Sequence, residues 1–252
     1  MKYLISFAND KFKKAQELLE MSAYKMGGID KVINYSPEDY IGTNFYYENA
    51  EILELKRGCG YWLWKPWIIL DALSKIQKED SLIYADAGNE VINDLSPLFA
   101  LCDEKKHVIL FENSPQHKNI KWTRSDTFNL MECNSKKYKK GRQLTASFVV
   151  VKKNSTSLAF LNEWFNYCKN PKILTDIPSE ERESSKFIDH RHDQSVLSLL
   201  AIKHELEVFR DPSQWGNARK DKAYRVRGEF VEKGIYDYFH VKKNSPYAQL
   251  FE

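Results

Sequence analysis

Two carboxylates stand where a chain can use them. Ser81-Leu82-Ile83-Tyr84-Ala85 is an apolar run that ends at Asp86 and is followed by Ala87-Gly88. Such a run reads as a buried strand that leaves its sheet through an acidic residue and a turn. In open α/β sheets ligands collect beyond the carboxyl ends of the strands, so Asp86 is expected to face a nucleotide or a metal ion. An aspartate before Ala-Gly is also an ordinary way to leave a strand. Asp193 opens a helix in His190-Arg191-His192-Asp193-Gln194-Ser195. A carboxylate there can take a proton from a hydroxyl within hydrogen-bond reach. It can equally cap backbone amides and favour the helix dipole.

Cations and aromatic rings gather near the first of these acids in the sequence. Lys65 precedes Pro66, which has the character of a first helical residue. Its ammonium and the free amides of that helix would face an anion together, with Arg57 joining them. Tyr61, Trp62, Trp64 and Trp67 suit stacking on a base or a sugar face, and they suit core packing as well. Lys242, Lys243, Arg225 and Arg227 can neutralise phosphate or stand as solvated cations. His240, in Tyr238-Phe239-His240-Val241, is either a late metal ligand or a histidine in an aromatic strand. The basic run Lys136 to Arg142 offers contact with an anionic glycan or a lipid diphosphate, or a solvated loop.

The elements that must position these residues alternate. Tyr3 to Ala8 reads as a buried strand, and Phe12, Ala15, Leu18, Leu19 and Ala23 recur at helical steps until Gly27-Gly28. Further strands are expected at Lys31–Tyr35, Leu82–Asp86, Val108–Phe111, Ser147–Val151 and Leu206–Phe209. Helices are expected from Pro66 through Ile76, from a Ser125 cap to about Glu132, over Ser157–Cys168 and over Val196–Ile202. The stretch from Asn170 to Asp189, reaching His192, is polar and too long for a plain connection, and is expected to form a mobile lid or acceptor loop. The rhythm is that of an α/β fold.

Taken in order, Gly58-Cys59-Gly60-Tyr61-Trp62-Leu63-Trp64-Lys65-Pro66-Trp67, the Asp86 strand and the His190–Ser195 helix start resemble a glycosyltransferase of the GT-A type. The likeness is to bacterial and viral transferases that build surface polysaccharides such as lipopolysaccharide and capsule, and it spans Lys2 to about Lys243. It implies a central mixed, mostly parallel sheet flanked by helices, with residues 1–252 forming one transferase domain. Tyr84 to Gly88 stands where such enzymes carry Asp-x-Asp, Thr145 to Val151 matches the strand flanking the acceptor, and His192-Asp193-Gln194-Ser195 matches an Asp-Gln helix start.

What the resemblance implies for the site follows. The donor, a nucleoside diphosphate sugar with UDP foremost, would meet Asp86, Lys65, Arg57, Ala87, Gly88, Lys242 and Lys243. The saccharide or lipid-linked saccharide acceptor would meet Ser147, His192 and Trp64, and Asp193 would be the catalytic base. A divalent cation, manganese or magnesium, would rest on Asp86 and His240, with Asn89 or Glu90 assisting. The second acid of Asp-x-Asp is Gly88 here, which weakens that metal pattern. A different class remains open, a non-catalytic glycan- or nucleotide-binding module. A nucleotidyltransferase fits less well, because no Gly-rich phosphate loop occurs near the amino end.

Composition sets the outer bounds. A chain of 252 residues with 42% apolar side chains can bury a sizeable single core. A net charge of +3 is too small for wholesale coating of nucleic acid, so no nucleic-acid partner is expected. Cys59, Cys102, Cys133 and Cys168 form no Cys-x-x-Cys pair, and the start lacks a secretory leader, so a reducing cytoplasm is expected. No apolar run approaches the roughly 20 residues that span a bilayer, which leaves peripheral contact at the inner face as the expected membrane association.

Overall fold

The computed structural model describes residues 1–105, 107–218, 225–226, 229–230 and 238–241. Its sheet grows outward from β1 (Lys2–Phe7), which pairs in parallel with β2 (Lys31–Tyr35) on one side and β3 (Ser81–Ala85) on the other. β4 (Asn89–Val91) is a short strand just after β3, outside this sheet. β5 (Val108–Glu112) and β6 (Leu144–Lys152) are antiparallel to one another, β6 is antiparallel to β3, and β7 (Val208–Arg210) is parallel to β5. The order β2-β1-β3-β6-β5-β7 is therefore mixed, with three parallel and two antiparallel pairings. β8 (Arg225–Val226) and β9 (Glu229–Phe230) form a separate ribbon, and β10 (Phe239–Val241) pairs antiparallel with β4.

Period-two alternation sends neighbouring apolar residues to opposite faces, and both faces are covered. Ile5, Tyr84 and Val149 pack with Ile68, Ile69 and Leu73 of the Trp64–Lys75 helix, Phe160 and Trp164 of the Ser155–Cys168 helix, and Val196 and Leu200 of the Asp193–Lys203 helix. Leu4, Ile83 and Val150 pack with Leu19 and Ala23 of the Lys13–Met26 helix and Phe99 of the Ser96–Lys105 helix. The crossover from β1 to β2 thus covers one face and the crossover from β2 to β3 the other. That makes the ends of β1 and β3 a topological switch point, where α/β sheets open a crevice.

Several local expectations are corrected. The helix expected at Pro66 begins at Trp64, since a proline in the third position still lacks only an amide that has no intrahelical partner. Lys65 is consequently inside the first turn. The Ser125–Leu130 helix has Arg124, not Ser125, as its cap residue, and the Ser125 amide donates to Glu183 Oε2 at 2.9 Å. The basic run is a short helix, Lys136–Lys140, ended by Gly141. Within the 170–189 stretch, Pro171–Leu174 is helical, and Ile173 and Leu174 are buried in the core. Among the described residues no helix is long and apolar enough to cross a membrane.

Candidate functional site

A cleft of about 440 Å³ opens at the switch point. β1 delivers Phe7, Ala8 and Asn9 to it, and the turn after β3 delivers Asp86, Ala87, Gly88 and Asn89. The register of β6 brings Ser147 alongside, because the Asp86 amide donates to Ser147 O at 3.0 Å. Trp62 and Trp64 form a wall, with Trp64 stacked on Phe7 at 3.8 Å between ring centroids, and Lys11 and Lys56 add cations.

The wall has an unusual backbone. Gly58, Cys59, Gly60, Tyr61 and Trp62 all have positive φ, so the chain makes one left-handed turn at a cost of about 1–2 kcal/mol per non-glycine residue. The two glycines are required. A Cβ on Gly58 would lie 2.5 Å from the Trp62 ring, and one on Gly60 would lie 2.6 Å from Leu53 Cα. Trp64 helps to hold the turn, its indole Nε1 donating to Gly58 O at 2.9 Å.

Beneath the floor lies a buried ionic cluster. Lys65 Nζ is 3.3 Å from Asp86 Oδ1 and 3.4 Å from Asp193 Oδ2, and it donates to Ala146 O at 3.1 Å. The side chains of Lys65 and Asp193 are only 4% and 5% exposed, whereas Asp86 is 39% exposed towards the cleft. The Tyr84 hydroxyl donates to Asp86 Oδ1 at 2.5 Å, and the Trp164 indole donates to Asp193 O at 3.0 Å. Burial pushes the Asp86 pKa up, but the Lys65 charge and hydrogen bonds from Tyr84 and Ser147 outweigh it and hold the group below its ordinary 3.8. Burial dominates at Asp193, which Lys65 only partly offsets and the Asp86 charge reinforces, so its pKa rises to about 6. Burial lowers the Lys65 pKa, yet the two carboxylates overcompensate and keep the ammonium charged.

The sequence candidates separate accordingly. Asp86, Ala87, Gly88, Trp64 and Ser147 line the cleft. Lys65 does not face an anion from a helix terminus, because it is clamped between two acids. Asp193 joins it there and is absent from the cleft lining. Arg57 turns away to Asp176 at 2.7 Å and Asp189 at 3.2 Å. His192 is buried, its Nδ1 2.7 Å from Leu174 O and its ring stacked on Trp62, and burial lowers its pKa to about 4. Lys242, Lys243 and Arg227 lie outside the described residues, as do the side chains of Arg225 and His240. The backbone of His240 pairs with Glu90.

Phe7, Asn9 and Tyr84 were not singled out from sequence. A strand followed by Asn9-Asp10 carries the same carboxyl-end signal as Asp86. Asn9 and Asn89 line the cleft, and their Oδ1 atoms are buried without a hydrogen-bond partner.

Among the described residues the cleft lining offers a divalent cation few donors, and the side chain of His240, the other expected ligand, lies outside them. Asp86 is the one carboxylate of the cleft lining among the described residues, its Oδ1 already answers an ammonium and a phenol, and the Lys65 charge repels a dication. No cluster of three or more His, Cys, Asp or Glu side chains able to hold a metal occurs among the described residues.

The fold and the cleft together define an α/β protein with a cleft at the carboxyl ends of its central strands. No protein-family model and no curated protein matches the chain. Among solved structures it is similar to mouse xyloside xylosyltransferase 1 in its apo form, with a TM-score of 0.49 and 10% sequence identity over 96% of this chain and 97% of that one.

Proposed function

We propose that the chain is a GT-A-type glycosyltransferase, moving a sugar from a nucleoside diphosphate, UDP foremost, to a saccharide acceptor during surface-polysaccharide assembly. The observation that carries this reading is Asp86, a partly exposed carboxylate at the end of a central strand, set in a cleft with aromatic walls and two lysines. An aromatic wall suits a base or a sugar ring. As the anomeric bond breaks, negative charge develops on the departing diphosphate, and Lys11 and Lys56 are the cleft-lining cations that can meet it. Lys242 and Lys243 are proposed to add to them. Asp193 was expected to be the base. Its carboxylate lies behind Lys65, so we assign it the positioning of that ammonium, and through it of Asp86.

A thermal-shift series of nucleoside diphosphates, each with and without manganese, tests the donor, because ligands that bind only the folded state raise its stability by mass action. At a concentration about 100 times Kd the gain is about 2.7 kcal/mol. No shift with any nucleoside diphosphate would sink the reading. Binding without sugar transfer or donor hydrolysis would instead assign a non-catalytic module.

A further inference from the structure

Two short helices and one loop segment share a face whose charge is unlike that of the rest of the chain. The Lys136–Lys140 helix packs on the Asn119–Trp122 helix, where Asn119 Nδ2 donates to Tyr138 O at 3.0 Å and the Asn119 amide to Gly141 O at 2.9 Å. The 186–191 segment runs along the same Asn119–Trp122 helix, its Ile188 and Arg191 amides donating to Lys121 O at 2.8 Å and Trp122 O at 3.1 Å. Residues 117–122, 135–142 and 186–191 hold nine lysines and arginines and a single acid, Asp189, which pairs with Arg57. The whole chain carries only +3, so its remainder is net acidic. Few of these cations are answered. Lys137 pairs with Glu205 at 3.1 Å and Arg142 with Glu112 at 2.6 Å, whereas Lys118, Lys121, Lys136, Lys140 and Lys186 have no ion pair among the described residues. Lys136 and Lys140 stand four residues apart on a five-residue helix, and like charges at that spacing destabilise it. The Arg191 guanidinium lies 4.3 Å over the Trp122 ring, which fixes it on the face without removing its charge. Ile188, with its amide on Lys121, is 60% exposed.

Unanswered cations call for a polyanion, and the exposed isoleucine beside them narrows which one. Nucleic-acid interfaces are polar and wet, and a soluble anionic glycan has no layer in which an aliphatic side chain is buried. The surface of an anionic bilayer offers both phosphate oxygens and acyl chains. We propose that this face docks the chain on an anionic lipid bilayer, its lysines on the headgroups and Ile188 beneath them. Nothing in this docking depends on sugar transfer. Arg142 stands two residues before Leu144, the first residue of β6, and Ser147 of that strand lines the cleft. A docked chain therefore holds its cleft at the end of the sheet that faces the bilayer.

Co-sedimentation of the full chain with vesicles tests the docking. Phosphatidylcholine vesicles carrying about 30% phosphatidylglycerol should pull the chain down, and pure phosphatidylcholine should not. Raising salt from about 0.1 M to about 1 M shortens the Debye length from about 10 Å to about 3 Å and should release most of the bound chain. Each lysine near such a surface contributes about fivefold in partitioning, so Lys118→Gln, Lys121→Gln, Lys136→Gln and Lys140→Gln combined should weaken binding at least about 100-fold. A control that combines Lys13→Gln, Lys14→Gln, Lys25→Gln and Lys31→Gln removes the same charge from exposed lysines elsewhere and should stay within about fivefold of the wild type. Ile188→Ser should cost about tenfold. Melting temperatures should hold in all three, and if the first variant unfolds, the Ile188 variant and the lipid comparison decide. Equal sedimentation with both lipids, wild-type binding in the Lys118 to Lys140 or the Ile188 variant, an equal loss in the control, or capture by dextran sulfate without vesicle binding would overturn the docking.

Discussion

Lys65 Nζ stands 3.4 Å from Asp193 Oδ2, so the acid that opens the Asp193–Lys203 helix is answered by a buried cation rather than by the cleft. The same ammonium is 3.3 Å from Asp86 Oδ1. Removing it strands two carboxylates, one of them almost fully buried. Lys65→Met should lower stability at neutral pH by about 3–5 kcal/mol, read from the urea midpoint, with a smaller loss at acid pH as Asp193 takes a proton. A loss below about 1 kcal/mol would mean that the cluster is not coupled.

Asp193 gives the cluster a pH signature. Its pKa rises from 3.8 to about 6 on folding, so the folded chain holds this proton more tightly than the unfolded one. The unfolded state binds fewer protons across that window, and the contribution of Asp193 to stability falls as pH rises from 3.8 through about 6, then levels. Asp86 acts in a separate window, because its lowered pKa adds stability that is lost only as pH falls below 3.8. Asp193→Asn should abolish the downward slope between pH 4 and 6, worth up to about 3 kcal/mol. Parallel stability curves for both proteins over that range would contradict the assignment.

The layers were legible because apolar alternation and helical spacing are local signals, and the strand expected at Leu82–Asp86 is observed one residue earlier, at Ser81–Ala85. The ion cluster was not. Lys65, Asp86 and Asp193 each show as candidates in the sequence, but only the packing of the Trp64–Lys75 and Asp193–Lys203 helices on one face brings them within contact. The left-handed turn was hidden for another reason. Gly58 and Gly60 mark a turn, whereas positive φ at Cys59, Tyr61 and Trp62 runs against residue preference and is imposed by tertiary packing.

Asp86→Asn tests the floor of the cleft. Asparagine keeps the size of the side chain and removes its charge, so the chain should stay folded and donor turnover should fall about 100-fold or more. Because Lys65 already neutralises this carboxylate, wild-type turnover should persist in chelator. Activity that vanishes in chelator and returns only with a divalent ion would restore the metal to the mechanism.

Gly60→Ala tests the turn. Gly60 has φ +90, and an added Cβ would meet Leu53 Cα at 2.6 Å, so the variant should lose about 1–3 kcal/mol. Since the turn carries Trp62 into the cleft wall, nucleoside diphosphate affinity should drop with it. Unchanged stability and affinity would show that the turn relaxes freely.

Arg57→Ala tests the tie between the cleft wall and the 170–189 segment. Arg57, Asp176 and Asp189 are each about two-fifths exposed, so their ion pairs should contribute no more than about 1 kcal/mol to global stability. Local opening is a different quantity. Ile173 and Leu174 anchor the start of the 170–189 segment in the core, but Asp176, Ile177 and Pro178 are exposed, and Arg57 with the Tyr61 hydroxyl, 3.0 Å from Asp176 Oδ2, ties them to the cleft wall. Limited proteolysis of the wild type should begin between Asp176 and Asp189, and Arg57→Ala should be cut there faster while its melting temperature barely moves. First cleavage inside the strands, or equal rates at this segment in both proteins, would show that Arg57 does not control its opening.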